Sequence, residues 1–185
     1  MEAASTDIHS HLVDKARNYD RSAQYELYRL YSKAMLNVSF RIVNDIAEAE
    51  DVLQESFVSA FKNLEKYRGD ATFGSWLKRI VINNSINLIK KRKLDLTDIS
   101  EYRDEQADDP VNENTPVLDI GKVKKAIEML PTGFRTVLSL YLLEGYDHKE
   151  IGEIMEISES TSKSQFNRAK KKLRLILKEL YSYER

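Results

Sequence analysis

One stretch limits the architecture of this chain more than any other. Between Leu94 and Ile120 stand Asp95, Asp98, Glu101, Asp104, Glu105, Asp108, Asp109, Glu113 and Asp119 against Arg103 alone, a net charge of −8, with Pro110 and Pro116 among them. The few apolar residues there form no helical stripe, so the stretch cannot bury enough surface to offset the entropy of ordering. The chain must therefore fold on either side of it. The expectation is a flexible acidic linker over 94–120 joining two small domains, 1–93 and 121–185.

Both flanks read as helical, giving an all-α fold class. The 185 residues include only 6 Gly and 3 Pro, and apolar residues recur at three- and four-residue spacings with almost no sustained period-two runs. A hydrophobic content of 42% is enough to bury real cores at this length. With no cysteine there is no disulfide framework, thiol nucleophile or cysteine metal site, which fits a reducing cytoplasm. No segment approaches the roughly 18 apolar residues that span a bilayer, and the polar start MEAASTDIHSH has no apolar leader core. A soluble cytoplasmic protein without membrane insertion is expected.

In the first domain one amphipathic stretch runs through Tyr25, Tyr28, Tyr31, Met35 and Val38. A second helix starts at Asp45, with Glu48 completing a capping box, and carries Val52, Leu53, Phe57, Ala60, Phe61 and Leu64 as its apolar stripe. The segment Lys66 to Thr72 breaks at Gly69, and a helix resumes from about Thr72 through Ile89. In the second domain Pro131 opens a helix through Phe134, Val137, Leu138, Tyr141 and Leu142 that stops at Gly145. Asp147 and Glu150 form another capping box, for a short helix burying Ile151, Ile154 and Met155. After a tight connection Ser158 caps a long last helix with Phe166, Ala169, Leu173, Ile176, Leu177 and Leu180 on its apolar side. Two helices joined this tightly outline a helix-turn-helix.

Charge makes the functional reading specific. The last helix carries Lys163, Arg168, Lys170, Lys171, Lys172, Arg174 and Lys178 with no acid between Ser160 and Lys178, a local +7. A solvated basic face would also look like this. The short polar side chains at its start, Ser160, Thr161, Ser162, Lys163, Ser164, Gln165, Asn167 and Arg168, together with the capped helix before it, favour a helix that reads bases first and meets phosphates with Lys171 and Lys172 further along.

A second basic helix, Trp76 to Lys93, has a local +6 and also holds Asn83, Asn84 and Asn87. Amides and cations beside an aromatic suit unpaired bases, although Trp76 serves equally well as a core anchor. The helix from Asp45 has the opposite sign, and Asp51, Gln54 and Glu55 at i, i+3 and i+4 share one face, either merely solvated or meeting a basic partner protein. His9 and His11 are placed in a frayed terminus with no metal site expected, and His148 at the surface. No phosphate loop, nucleophile elbow or zinc motif appears, so no catalytic residue, metal or cofactor is expected.

These segments together resemble a family. Ala49-Glu50-Asp51-Val52-Leu53-Gln54-Glu55-Ser56-Phe57, then Tyr67-Arg68-Gly69, Phe73, Trp76-Leu77-Lys78-Arg79-Ile80 and Asn83, are similar to conserved region 2 of the extracytoplasmic function (ECF) sigma factors of the sigma-70 family. Leu130-Pro131, Leu143-Glu144-Gly145-Tyr146, Glu150-Ile151-Gly152-Glu153-Ile154, Ile157-Ser158-Glu159, Thr161, Lys163-Ser164 and Arg168-Ala169 are similar to their region 4. The resemblance implies an alternative sigma factor whose partners are core RNA polymerase, through the β′ clamp helices and the β flap, and promoter DNA, and it allows an anti-sigma partner. It gives Asp51, Gln54, Glu55 and Phe57 to the polymerase. It gives Tyr67, Arg68, Gly69, Asp70, Ala71, Thr72, Trp76, Arg79, Asn83 and Asn87 to the unpaired minus 10 strand, and the last helix to the minus 35 duplex. Ser160 stands where Gly is frequent in the family, Ser162 and Gln165 where Val and Arg are, and Asn87 where Asp is. The reading set against this one is a stand-alone helix-turn-helix regulator whose first domain senses a ligand.

Overall fold

A computed structural model of the protein describes residues 8–95 and 119–182. They form eight α-helices, with no strand among the described residues. These are α1 (Ser10–Arg17), α2 (Arg21–Val43), α3 (Ile46–Lys62), α4 (Phe73–Asp95), α5 (Ile120–Glu128), α6 (Thr132–Leu142), α7 (His148–Met155) and α8 (Glu159–Ser182), with a 3-10 turn at Leu64–Lys66. The chain divides into two compact units, one holding α1 to α3 and most of α4, the other holding α5, α6, most of α7 and α8. The tether expected over 94–120 falls almost wholly outside the described residues. At its edges, residues 94 and 95 finish α4, Asp119 caps α5 by accepting from Gly121 N at 2.7 Å, and Ile120 begins that helix.

The first unit packs four helices around Val13 and Ala16 of α1, Leu27 and Ile42 of α2, Val52, Leu53 and Phe57 of α3, and Phe73, Leu77, Val81 and Ile82 of α4. Each fully buried Leu or Ile contributes about 1.5–3 kcal/mol of hydrophobic stabilisation. Small polar residues let the helix backbones approach. Ser85 Oγ on α4 meets Ser39 Oγ on α2 at 3.2 Å while donating to its own Val81 O, and Asn84 Nδ2 donates to Ser56 Oγ on α3 at 3.0 Å. Asn84 is therefore committed to the helix interface. Asp20 caps α2 by accepting from Ser22 N and Ala23 N, and Asp45 caps α3 by accepting from Glu48 N at 3.0 Å.

Two expectations for this unit need correction. The buried side of α2 is Ala23, Leu27, Met35, Val38, Ile42 and Val43, whereas Tyr25 is 69% exposed and Tyr28 sits at the edge. Met35 and Val38 lie inside as expected; tyrosine satisfies an apolar pattern while tolerating water, so Tyr25 and Tyr28 stay outside the core. The segment around His9 and His11 is ordered: α1 buries Leu12, Val13 and Ala16, and His9 Nδ1 lies 2.9 Å from Tyr31 Oη.

The second unit closes α5 and α6 against α8 around Ala126, Leu130, Leu138, Ala169 and Ile176, with Phe134, Phe166, Leu173, Leu177 and Leu180 at the margin. Tyr141 and Leu142, expected inside, are exposed, and Leu140 is buried instead. Arg135 is also buried. Its Nη1 donates to Leu130 O at 2.8 Å, satisfying a carbonyl just past the end of α5, and burial draws its pKa down.

Candidate nucleic-acid and protein interfaces

The turn between α7 and α8 is held by several local devices. Asp147 N donates to Glu150 Oε2 and Glu150 N to Asp147 Oδ1, both at 2.8 Å, so the capping box at the start of α7 is complete in both directions. Ile157 N donates to Gly152 O at 2.9 Å, and a Cβ on Gly152 would lie 2.8 Å from Ile157 O. No side chain fits there without opening the turn. Ser158 then caps α8, accepting from Thr161 N at 3.0 Å.

From that cap onward α8 separates the expected minus 35 residues into two sets. Ser160, Lys163, Ser164, Asn167, Arg168 and Lys171 are all exposed, and their spacing of 3, 1, 3, 1 and 3 makes them one face of the helix. Thr161, Gln165 and Lys172 are half-buried, and Ser162 is fully buried. Ser162 Oγ lies 2.9 Å from His148 Nδ1, and His148 in turn stacks on Tyr141 with ring centroids 4.5 Å apart. Ser162 and His148 thus lock α7 to α8. Gln165 Oε1 is buried at the first turn of α6, near Gly133.

Glu159, not expected at this surface, pairs with Lys163 at 2.6 Å. The hydrogen bond and charge of Lys163 hold the Glu159 carboxyl below its usual range, and Glu159 raises Lys163 in return. Its i, i+4 spacing to Lys163 was the available signal.

The second basic surface lies along α4. Thr72 caps this helix, its Oγ1 accepting from Ser75 N at 3.2 Å, so that hydroxyl is already engaged. Arg79, Asn83 and Asn87 are exposed and line up with half-buried Trp76 at spacings of 3, 4 and 4. Trp76 is half-buried: its ring packs on Tyr67 and Phe73, with centroids 5.3 and 5.9 Å away, and part of it remains at the surface.

The loop before α4 exposes Arg68, Gly69, Asp70 and Ala71. Gly69 takes a φ of +81°, where an L side chain is strained. Tyr67 is only 9% exposed, and its hydroxyl donates to Ala71 O at 2.6 Å, closing the loop from within.

On α3, Asp51, Gln54 and Glu55 are exposed on one face, while Phe57 is buried against Tyr28, with ring centroids 4.8 Å apart. Phe57 therefore supports this face from below. Val58, 52% exposed and at i+7 from Asp51, extends the face and was missed because an isolated Val in a helix reads as core. Among the described residues, no group of three or more His, Asp or Glu could hold a metal ion, and no helix is long and apolar enough to cross a membrane.

Comparison with known proteins fits this division. The Sigma-70 region 2 family matches residues 27–94 and the Sigma-70 region 4 family matches residues 120–173. The ECF RNA polymerase sigma factor SigW of Bacillus subtilis is 28% identical over 179 residues, covering 91% of this chain and 96% of that protein. The RNA polymerase sigma-H factor of Pseudomonas aeruginosa is 31% identical over 180 residues, covering 91% and 93%. Two solved structures share the fold at 22% identity: CnrH in complex with the cytosolic domain of CnrY, with a TM-score of 0.56 over 93% of this chain and 98% of that one, and the sigma factor RpoE in complex with the anti-sigma factor NepR from Bartonella quintana, with a TM-score of 0.57 over 83% and 96%. The chain belongs to the extracytoplasmic function sigma factors of the sigma-70 family.

Proposed function

We propose that this sigma factor divides its work among the three faces described above. The protein binds core RNA polymerase and directs it to specific promoters, as its family membership entails. In our reading Asp51, Gln54 and Glu55 on α3 meet the basic clamp helices of the β′ subunit, with Val58 as an apolar contact and Phe57 holding the face rigid. The β flap would engage the α5–α8 unit. The protein catalyses no reaction itself and works in the cytoplasm, where the polymerase is.

The exposed face of α8 enters the minus 35 major groove. Ser160, Lys163, Ser164 and Asn167 reach base edges, and Arg168 and Lys171 meet phosphates. The loop Tyr67–Thr72 and the Trp76–Arg79–Asn83–Asn87 face hold the displaced minus 10 strand. Extruding a base costs a few kcal/mol of stacking, which an aromatic surface and a basic groove offset. Ser162, Gln165 and Tyr67 act by holding these surfaces in shape. Since one structural neighbour is a sigma factor in complex with an anti-sigma factor, a partner that masks these faces belongs to the proposal.

The observation that carries the reading is the alignment of six exposed polar and basic residues on one face of α8, with Glu159 beside them tied to Lys163. Footprinting of the holoenzyme on a promoter tests it. Protection at minus 35, together with permanganate-reactive thymines at minus 10 that appear only with core polymerase, is expected. Protection of duplex by the protein alone, with no opened thymines, would support a stand-alone regulator instead.

A further inference from the structure

Arg17 lies on α1, ahead of the residues 27–94 that match region 2. Its guanidinium makes three hydrogen bonds: Nη1 to Asp14 Oδ1 at 3.2 Å on its own helix, Nη2 to Tyr67 O at 3.1 Å, and Nε to Leu64 O at 3.4 Å. The last two reach 50 and 47 residues along the chain. Leu64 opens the 3-10 turn after α3, and Tyr67 is the residue from which the exposed loop leaves.

Apart from the Tyr67 hydroxyl on Ala71 O, that loop has little else to fix it. Arg68, Gly69, Asp70 and Ala71 are exposed, and a Cβ built on Gly69 finds nothing within 4 Å, so no packing holds its tip. Its geometry depends on its ends. The far end is fixed by the Thr72 cap of α4, and the near end by the buried Tyr67 ring and by Arg17 on the Tyr67 carbonyl. A guanidinium suits the second task because its planar fork, with donors on separate nitrogens, serves two carbonyls together, whereas an ammonium offers its three donors from one nitrogen.

We infer that Arg17 is a positioning residue for minus 10 recognition, holding the root of the Arg68–Thr72 loop so that the loop and the Trp76–Asn87 face of α4 form one surface for an unstacked base. The inference rests on the reading that this loop holds the minus 10 strand. It gives α1 a role that does not require any of its residues to touch DNA. Asp14 completes the device by orienting the guanidinium from within α1. A recognition surface loses discrimination when its supporting contacts let it move, even where every contacting residue is present.

The test uses holoenzyme and a fork-junction DNA pool randomised over its single-stranded minus 10 segment, with the bound fraction sequenced. Wild type is expected to enrich its preferred base about fivefold or more at one position, about what one hydrogen bond to the edge of an extruded base contributes. R17A should fall to within about twofold of even, with R17K between the two. Affinity for core polymerase and preference in a duplex minus 35 pool should stay at wild-type levels, a pattern that general loss of structure would not produce. Should R17A fail to fold, as judged by its thermal melt, R17K decides, since it keeps the aliphatic stem and the charge but loses the fork that reaches both carbonyls. Wild-type enrichment in a folded R17A, or in R17K where R17A does not fold, would overturn the role of Arg17. An absence of base preference in wild type itself would overturn the reading of the loop, and the inference with it.

Discussion

Lys163 and Glu159 meet at 2.6 Å on the exposed face of α8, so the cation proposed to reach base edges is already paired in the free protein. Binding DNA must redirect that ammonium while a carboxylate stays near the phosphates. Glu159→Gln should therefore tighten binding to any duplex a few-fold and steepen its salt dependence by up to about one unit. Titrations over a range of salt would measure both effects, and an unchanged slope would show that Glu159 stays clear of the backbone. Lys171→Ala should do the reverse, weakening all sequences alike and flattening the slope by about one unit, whereas Lys163→Ala should change the ranking of minus 35 sequences. Ser162 belongs to a different class although it sits between these residues in sequence. Buried and bonded to His148, it should lower thermal stability by about 1 kcal/mol when changed to Ala and leave minus 35 preference intact. A changed sequence preference in Ser162→Ala would place it back among the base readers.

The elements show where sequence reasoning succeeded and where it could not. The caps at Asp45, Asp147 with Glu150, and Ser158 were legible because capping needs particular atoms at fixed offsets. The inner sides of α3 and α8 were legible because Val, Leu, Ile and Phe leave little doubt about which way they face. The tyrosine half of the α2 stripe was not, because tyrosine suits either side, and α1 was not, because its anchors Tyr31, Leu64 and Tyr67 are remote in sequence. On α8 the composition identified the helix, while only packing against α6 and α7 could tell Lys163 and Asn167 from Ser162 and Gln165. Two predictions belong at this scale. Gly152→Ala forces a Cβ against Ile157 O and should cost about 1–3 kcal/mol in thermal or denaturant unfolding. Asp51→Lys with Glu55→Lys reverses an exposed face, so it should weaken core polymerase binding at least tenfold, about 1.4 kcal/mol, with the melting temperature little changed. Equal affinity for core would remove α3 from the interface.

For the whole molecule, a formal charge of −1 conceals strong separation. Basic residues gather on α4 and α8, carboxylates on the outer side of α3 and throughout 94–120. A protein that met DNA with its average charge would bind with almost no salt dependence; this one should show a slope set by its basic helices. In the proposed reading the separation also assigns partners by sign, acid to polymerase and base to promoter, as a factor bridging the two requires. The measurement that tests this most directly is sequencing the 5′ ends of transcripts that core polymerase makes on genomic DNA of the source organism, with and without the protein. The account predicts new start sites that appear only with the protein and share sequence near minus 10 and minus 35, and that disappear with the Asp51→Lys, Glu55→Lys variant. An unchanged set of 5′ ends, from a protein that still binds duplex DNA by itself, would contradict it.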